Sequence, residues 1–275
     1  ECVHVYSEIE NVLIKFCRRQ LGVGSRSTIP AVLGECGKFS VHTECKIKCV
    51  KYWIKLLSQP ANTLLKSCYD MLLTHCNAGR TNWASQMRDM LYKYGFGYFW
   101  ELQEVGDSDI FLLEFKNRIC DCERQNWRSQ LVSLPKLSIY CMFKKEFGVE
   151  KYLLMDMPRF FIKALAKFRI SSHDLEIEKG RHHKKDREER ICTFCKNDNI
   201  NVIEDEYHVI FDCILYKDIR ELYISKEDRS PQNLFTFCNL LSNQSSDSIF
   251  KLPKYLYNMF KLRNYTWMYP PPRIF

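Results

Sequence analysis

Apolar residues recur every three to four positions along most of the chain, the spacing of one face of an α-helix. Ile9, Val12, Leu13, Phe16, Cys17 and Leu21 predict a helix over residues 4–21. Gly22-Val23-Gly24 stops it, because glycine accepts the left-handed backbone of a helix end. Cys45, Cys49, Trp53, Leu56 and Leu57 predict a second helix over 42–58, closed by Pro60. The same pattern predicts helices over 62–76, 82–94, 108–127, 136–146 and 158–170, with two more near 231–241 and 248–264. Asn82, and Asp107 or Ser108, are placed to cap helix starts. Strand signals are weak, the best being a small hairpin around Cys192 and Cys195. A boundary is expected near Met157-Pro158, a charged linker at 178–190 and an extended, frayed end at Tyr269-Pro270-Pro271-Pro272.

Composition supports a packed protein. The chain has 275 residues, 46% of them hydrophobic and 14% aromatic, which excludes a disordered tail. No apolar run has the length of a membrane span, and the start lacks the basic-then-apolar pattern of a secretory signal. Beginning at Glu1 rather than Met, the chain reads as a piece of something longer. There are 14 cysteines. Cys17, Cys45, Cys49, Cys68 and Cys141 sit singly among apolar residues and read as small buried hydrophobes of a reducing compartment, nucleus or cytoplasm.

One group of cysteines reads differently. Cys192, Cys195, His208 and Cys213 have the spacing C-x2-C-x12-H-x4-C. Three thiolates and an imidazole make a closed tetrahedral shell suited to one structural zinc ion, whereas a catalytic zinc keeps a position open. His208 and Cys213 are five residues apart, out of register on a continuous helix, so the backbone should break near Asp212 and a helix follow from about Tyr216 to Tyr223. Glu204, Asp205 and Glu206 read as residues of a helix start. His173 reads as part of a cap or turn, and His182 and His183 as linker residues. The fold class that follows is mainly α: a multi-helix scaffold over 1–157, a basic helix plus CCHC knuckle over 158–223, and C-terminal helices and tail over 224–275.

Charge changes the functional picture. The net charge is +8, from 41 basic and 33 acidic residues, a mild excess whose clustering matters more than its size. Arg159, Lys163, Lys167 and Arg169 can share one side of a helix. Lys179, Arg181, Lys184, Lys185 and Arg190 form a second positive stretch just before the metal motif. Alone, such runs are what a solvated helix face and a charged linker look like, since Asp186, Glu188 and Glu189 dilute them. Beside a metal knuckle they read as phosphate contacts to RNA or DNA. The aromatic cluster Tyr92, Tyr94, Phe96, Tyr98, Phe99 and Trp100 reads as core rather than as a base-stacking platform. Gly22-Val23-Gly24-Ser25-Arg26-Ser27 lacks the Lys-Ser/Thr ending of a phosphate loop and follows a helix, so it is not one. No Ser-His-Asp or Cys-His arrangement and no paired-aspartate polymerase centre stands out, so no catalytic residue is assigned.

These passages resemble the C-terminal region, thumb and connector plus zinc knuckle, of reverse transcriptases of LINE-type (non-LTR) retrotransposons. The resemblance is carried by Phe16-Cys17-Arg18-Arg19-Gln20-Leu21-Gly22-Val23 with Thr28-Ile29-Pro30-Ala31-Val32-Leu33-Gly34-Glu35-Cys36-Gly37, by Tyr52-Trp53-Ile54-Lys55-Leu56 and Tyr94-Gly95-Phe96-Gly97, and by the stretch from Arg169 to Cys213. It implies an RNA-directed DNA polymerase whose catalytic aspartates precede Glu1. This chain would then be a non-catalytic module that grips template RNA or target DNA beside the rest of the polymerase polypeptide, with no membrane and no small-molecule substrate as partner. A zinc-stabilised protein-interaction module, an enzyme with an unrecognised centre, and a decayed element without activity are the rival readings.

Overall fold

The computed structural model describes residues 2–242 and 248–268, so the expected tail at 269–272 lies outside the described residues. Its helices are α1 (Cys2–Leu21), α2 (Ile29–Cys36), α3 (Val41–Leu57), α4 (Leu64–Asn77), α5 (Trp83–Tyr94), α6 (Gly97–Leu102), α7 (Ser108–Val132), α8 (Ser138–Phe143), α9 (Arg159–Arg169), α10 (Glu176–His182), α11 (Thr193–Asn197), α12 (Glu206–Phe211), α13 (Lys217–Tyr223), α14 (Lys226–Arg229), α15 (Leu234–Ser242) and α16 (Ser248–Met268). Among the described residues pairing of strand type is confined to isolated bridges, Cys36 with Val149 and Ile191 with Ile203. The fold is mainly α, and no described helix is long and apolar enough to cross a membrane.

The helices start and stop where side chains satisfy loose backbone groups. Asn82 accepts the Ser85 amide at 3.0 Å while Ser85 Oγ accepts the Asn82 amide at 2.9 Å, a reciprocal cap on α5. The Asp107 carboxylate accepts the amides of Asp109 and Ile110, which settles the start of α7. Gly22, at φ 67°, ends α1 as its sequence position requires. The helix expected over 136–146 is instead a 3-10 turn, Pro135–Leu137, running into the short α8.

The chain divides into two compact units. One gathers Phe39–Arg128 with the first eleven residues. Its core is aromatic: Trp53 stacks on Trp100 at 6.0 Å, and Phe96 meets Phe111 and Phe115 edge-on at 5.4 and 5.3 Å. The Trp53 indole donates to the Tyr69 hydroxyl at 2.8 Å, which donates to Gln103 at 2.5 Å. The polar edges of two buried rings are thereby satisfied. Of the expected aromatic core, Tyr94, Phe96 and Trp100 are buried, but Tyr92 and Tyr98 stand exposed. The cysteine expectation also needs correcting. Of the five named, Cys17 is buried, Cys45, Cys49 and Cys141 are half-buried and Cys68 is exposed.

The other unit gathers Val12–Lys38 with the chain from Ser129 onward. The position expected as a boundary, Met157-Pro158, lies inside it. Here α9 packs along α16, burying Ala164, Leu165 and Phe168 on one side and Leu252, Leu256 and Met259 on the other. α13 also packs on α16, and α15 on α8. A buried ionic cluster closes the unit: Arg169 pairs with Glu35 at 2.9 Å and Glu150 at 2.7 Å, Lys144 pairs with Glu150 at 2.5 Å, and the Tyr152 hydroxyl donates to Glu35 at 2.5 Å. Two carboxylates face two cations, so neither sign is left uncompensated out of water.

Candidate metal centre

The residues from Arg190 to Tyr216 build the site from short pieces. Cys192 donates its amide to Val202 at 2.8 Å and Glu204 donates its amide to Arg190 at 2.9 Å, so the expected hairpin is reduced to one rung. Cys192 then starts α11, and Cys195 lies within that single turn. Asp205 caps α12 by accepting the His208 amide at 2.9 Å, which places the imidazole in the first turn. α12 ends at Asp212, the break that the His208–Cys213 spacing demands, and Cys213 donates its amide back to His208 at 2.9 Å. A 3-10 turn, Ile214–Tyr216, then leads into α13, the helix expected from Tyr216.

Four ligand atoms converge. All of them lie within 4.8 Å of one another, and all four residues are buried. Cys192 and Cys213 sulfurs are 3.9 Å apart, Cys195 and Cys213 sulfurs 3.8 Å, and Cys195 Sγ is 3.4 Å from His208 Nε2. A tetrahedron built on metal–sulfur bonds of about 2.3 Å has edges of about 3.8 Å, and slightly shorter ones to nitrogen. The three separations of 3.4–3.9 Å match such edges, and the sulfur pairs are far longer than the ~2 Å of a disulfide. The donor set also calls for a cation. Hydrogen bonding from Cys213, with His208 adding to it, pulls the Cys192 thiol down to about 4 against the cost of burial. The bond to Cys192 and burial push Cys213 up, and burial pushes Cys195 up. Without a metal the cluster favours one thiolate; a divalent cation at its centre would let all three ionise. The arrangement could therefore hold one metal ion in a closed, four-ligand shell.

A set of buried polar residues fastens the cluster to α10, α13 and α16. Glu204 accepts the Glu176 amide at 2.7 Å and pairs with Arg263 of α16 at 2.5 Å. Arg263 also lies over the Phe194 ring, 5.8 Å from its centroid. Glu206 accepts from Ser171 at 2.9 Å and lies 3.0 Å from His173 Nε2. Burial opposes ionisation of Glu206, but the bonds from His173 and Ser171 hold its carboxyl below the usual range. Arg220 donates to the Cys213 carbonyl at 2.6 Å, and Tyr255 donates to the Val209 carbonyl. Glu206 does start a helix as expected, but Glu204 does not. Both side chains turn inward as struts, and His173, buried, accepts the Leu175 amide at 3.4 Å in the turn before α10, as expected, while also meeting Glu206. Partners 28 to 59 residues apart, Glu176–Glu204 and Glu204–Arg263, leave no mark on local spacing.

The basic residues fall into two kinds. Arg159, Lys163 and Lys167 are exposed on α9, Arg159 donating to Gln20 at 2.7 Å, and Lys184 and Lys185 are exposed beyond α10. Arg169 was expected on this face, yet it is 2% exposed and committed to Glu35 and Glu150. It is a core ion, unable to meet a phosphate. Arg190 lies with its stem against Gly180 and donates to the carbonyls of Lys185 at 2.7 Å and Ile177 at 3.1 Å, a fastening role. The stretch read as a linker is in part the helix α10, whose Lys179 pairs with Glu176 at 3.7 Å and whose Arg181 pairs with Glu178 at 3.1 Å. No protein-family model matches the chain, and neither curated proteins nor solved structures give a significant match.

Proposed function

We propose that this chain is a nucleic-acid-binding module whose C-terminal part is locked by one structural zinc ion on Cys192, Cys195, His208 and Cys213. The observation that carries the reading is the buried four-ligand cluster that follows closely in sequence on lysines that remain exposed, above all Lys184 and Lys185. Zinc suits three thiolates and an imidazole, and a shell with all four positions filled by protein leaves none for substrate. The role is therefore grip rather than catalysis. In keeping with the resemblance to retrotransposon reverse transcriptases, the polyanion is template RNA or target DNA, and the remaining polymerase polypeptide is the second partner.

Metal analysis of the purified chain together with oligonucleotide titration tests this. One zinc per chain, lost in the Cys192→Ser, Cys195→Ser double variant, and RNA or DNA affinity that falls steeply as salt rises are the expected results. A folded chain without zinc, or a zinc-loaded chain that binds no oligonucleotide, overturns it.

A further inference from the structure

α9 and α16 enclose a groove of about 440 Å³ on the same unit as the metal cluster. One side of its rim is aromatic. Phe160 is 47% exposed although it is a large apolar ring. It leans on Tyr257 with 4.7 Å between ring centroids. The lining also carries three lysines: Lys163 and Lys167, one turn apart on α9, and Lys261 on α16. Among the described residues no carboxylate lies within ion-pairing distance of these three lysines, and Asp174 is the acidic residue of the lining. Arg263, also in the lining, is paired with Glu204.

An exposed ring resting on a half-buried one, beside unpaired cations, suits a ligand with flat π faces and regularly spaced negative charges. Nucleic acid has both, but in a duplex the base faces are covered by their neighbours. Unstacked bases of a single strand are free to lie on aromatic rings while lysines follow the backbone. We infer that the α9–α16 groove is a binding site for single-stranded nucleic acid, with a base stacked on Phe160 and Tyr257 and phosphates on Lys163, Lys167 and Lys261. This rests on the nucleic-acid reading and assigns its strand preference and its place.

The test uses the zinc-loaded full chain and fluorescence anisotropy with a short labelled single strand, its duplex, and an abasic single strand. Phe160→Ala, Tyr257→Ala should weaken single-strand binding by about tenfold or more. It should leave duplex and abasic binding nearly unchanged. Lys163→Gln, Lys167→Gln, Lys261→Gln, all at exposed positions and so compatible with folding, should reduce the salt slope of single-strand binding by about two. If both groove variants bind the single strand like the parent while Lys184→Gln, Lys185→Gln weakens it, the groove is not the site although the nucleic-acid reading survives. A parent chain that prefers the duplex also overturns the groove. A parent chain that binds no oligonucleotide, or takes up an acidic peptide in its place, overturns both.

Discussion

Lys167 and Arg169 lie two positions apart on α9 and face opposite ways. Lys167 is exposed, while Arg169 is buried over the Phe143 ring at 4.6 Å between the carboxylates of Glu35 and Glu150. Removing a buried cation strands its partners in low dielectric, whereas removing an exposed one costs little. Arg169→Met should destabilise its unit by about 3 kcal/mol. Lys167→Met should change stability by less than about 0.5 kcal/mol while lowering oligonucleotide affinity. Urea unfolding of the two variants beside a binding titration separates the roles. Equal stability of both would show that the Glu35–Arg169–Glu150 cluster does not hold the fold. The sequence could not distinguish the pair: both belong to the same run of basic residues, and Glu35 lies 134 positions from Arg169. Their difference comes from what α2 and residues 148–150 bring against α9, with Gly37 allowing the close passage of Val149 that a side chain would block.

At the level of elements, legibility followed the origin of each constraint. Long amphipathic helices were visible because burying one face of a helix imposes its own period on the residues. The Cys/His cluster is legible because four candidate ligands within 22 residues of chain can meet at one point only if the backbone breaks near Asp212, as it does. α10 leaves no helical period in the sequence, although its ends carry the charge order of a helix, Glu176 and Glu178 first and Lys179, Arg181 and His182 last. Its seven residues are too few for a hydrophobic period to show, and charge order alone does not separate a helix from a charged linker. The knuckle elements α11 and α12 are five and six residues long, below the length at which a helix is stable by itself. Their order must come from what surrounds them: the Glu204–Arg263 strut and, under the proposed function, a metal ion on the four ligands. Adding a strong chelator should release fast hydrogen exchange over residues 190–216 while the centre of α9 stays protected. Unchanged exchange at 190–216 would mean that packing alone holds the knuckle.

The same site predicts a pH dependence of known sign. Without metal, Cys195 and Cys213 hold their protons above the usual thiol range, while Cys192 is pulled down to about 4. Near neutral pH a binding cation must therefore displace about two thiol protons. Zinc affinity should fall as pH falls, by about a hundredfold per pH unit where two protons compete. Titration in two buffers of different ionisation enthalpy counts the protons released, and a count near zero would show that the thiols are already ionised before the metal arrives.

The whole molecule has two separate sources of stability. The unit around Phe39–Arg128 relies on buried aromatic area and a fully satisfied Trp53–Tyr69–Gln103 chain, and contains none of the four metal ligands. The unit from Ser129 onward combines the α9–α16 interface with buried ion pairs and the Cys/His cluster that could hold a metal ion. Trp53 and Trp100, stacked at 6.0 Å, lie in the first unit and report on its packing by near-ultraviolet circular dichroism. Because aromatic burial needs no metal, that signal should survive chelation, while far-ultraviolet helicity declines by the small amount that α11, α12 and their neighbours contribute. Heating after chelation should then bring unfolding of the metal-bearing unit to lower temperature and leave the tryptophan transition where it was. Loss of the tryptophan signal on chelation at constant temperature would show instead that the two units unfold as one cooperative body, and that the metal supports the entire chain rather than its C-terminal part.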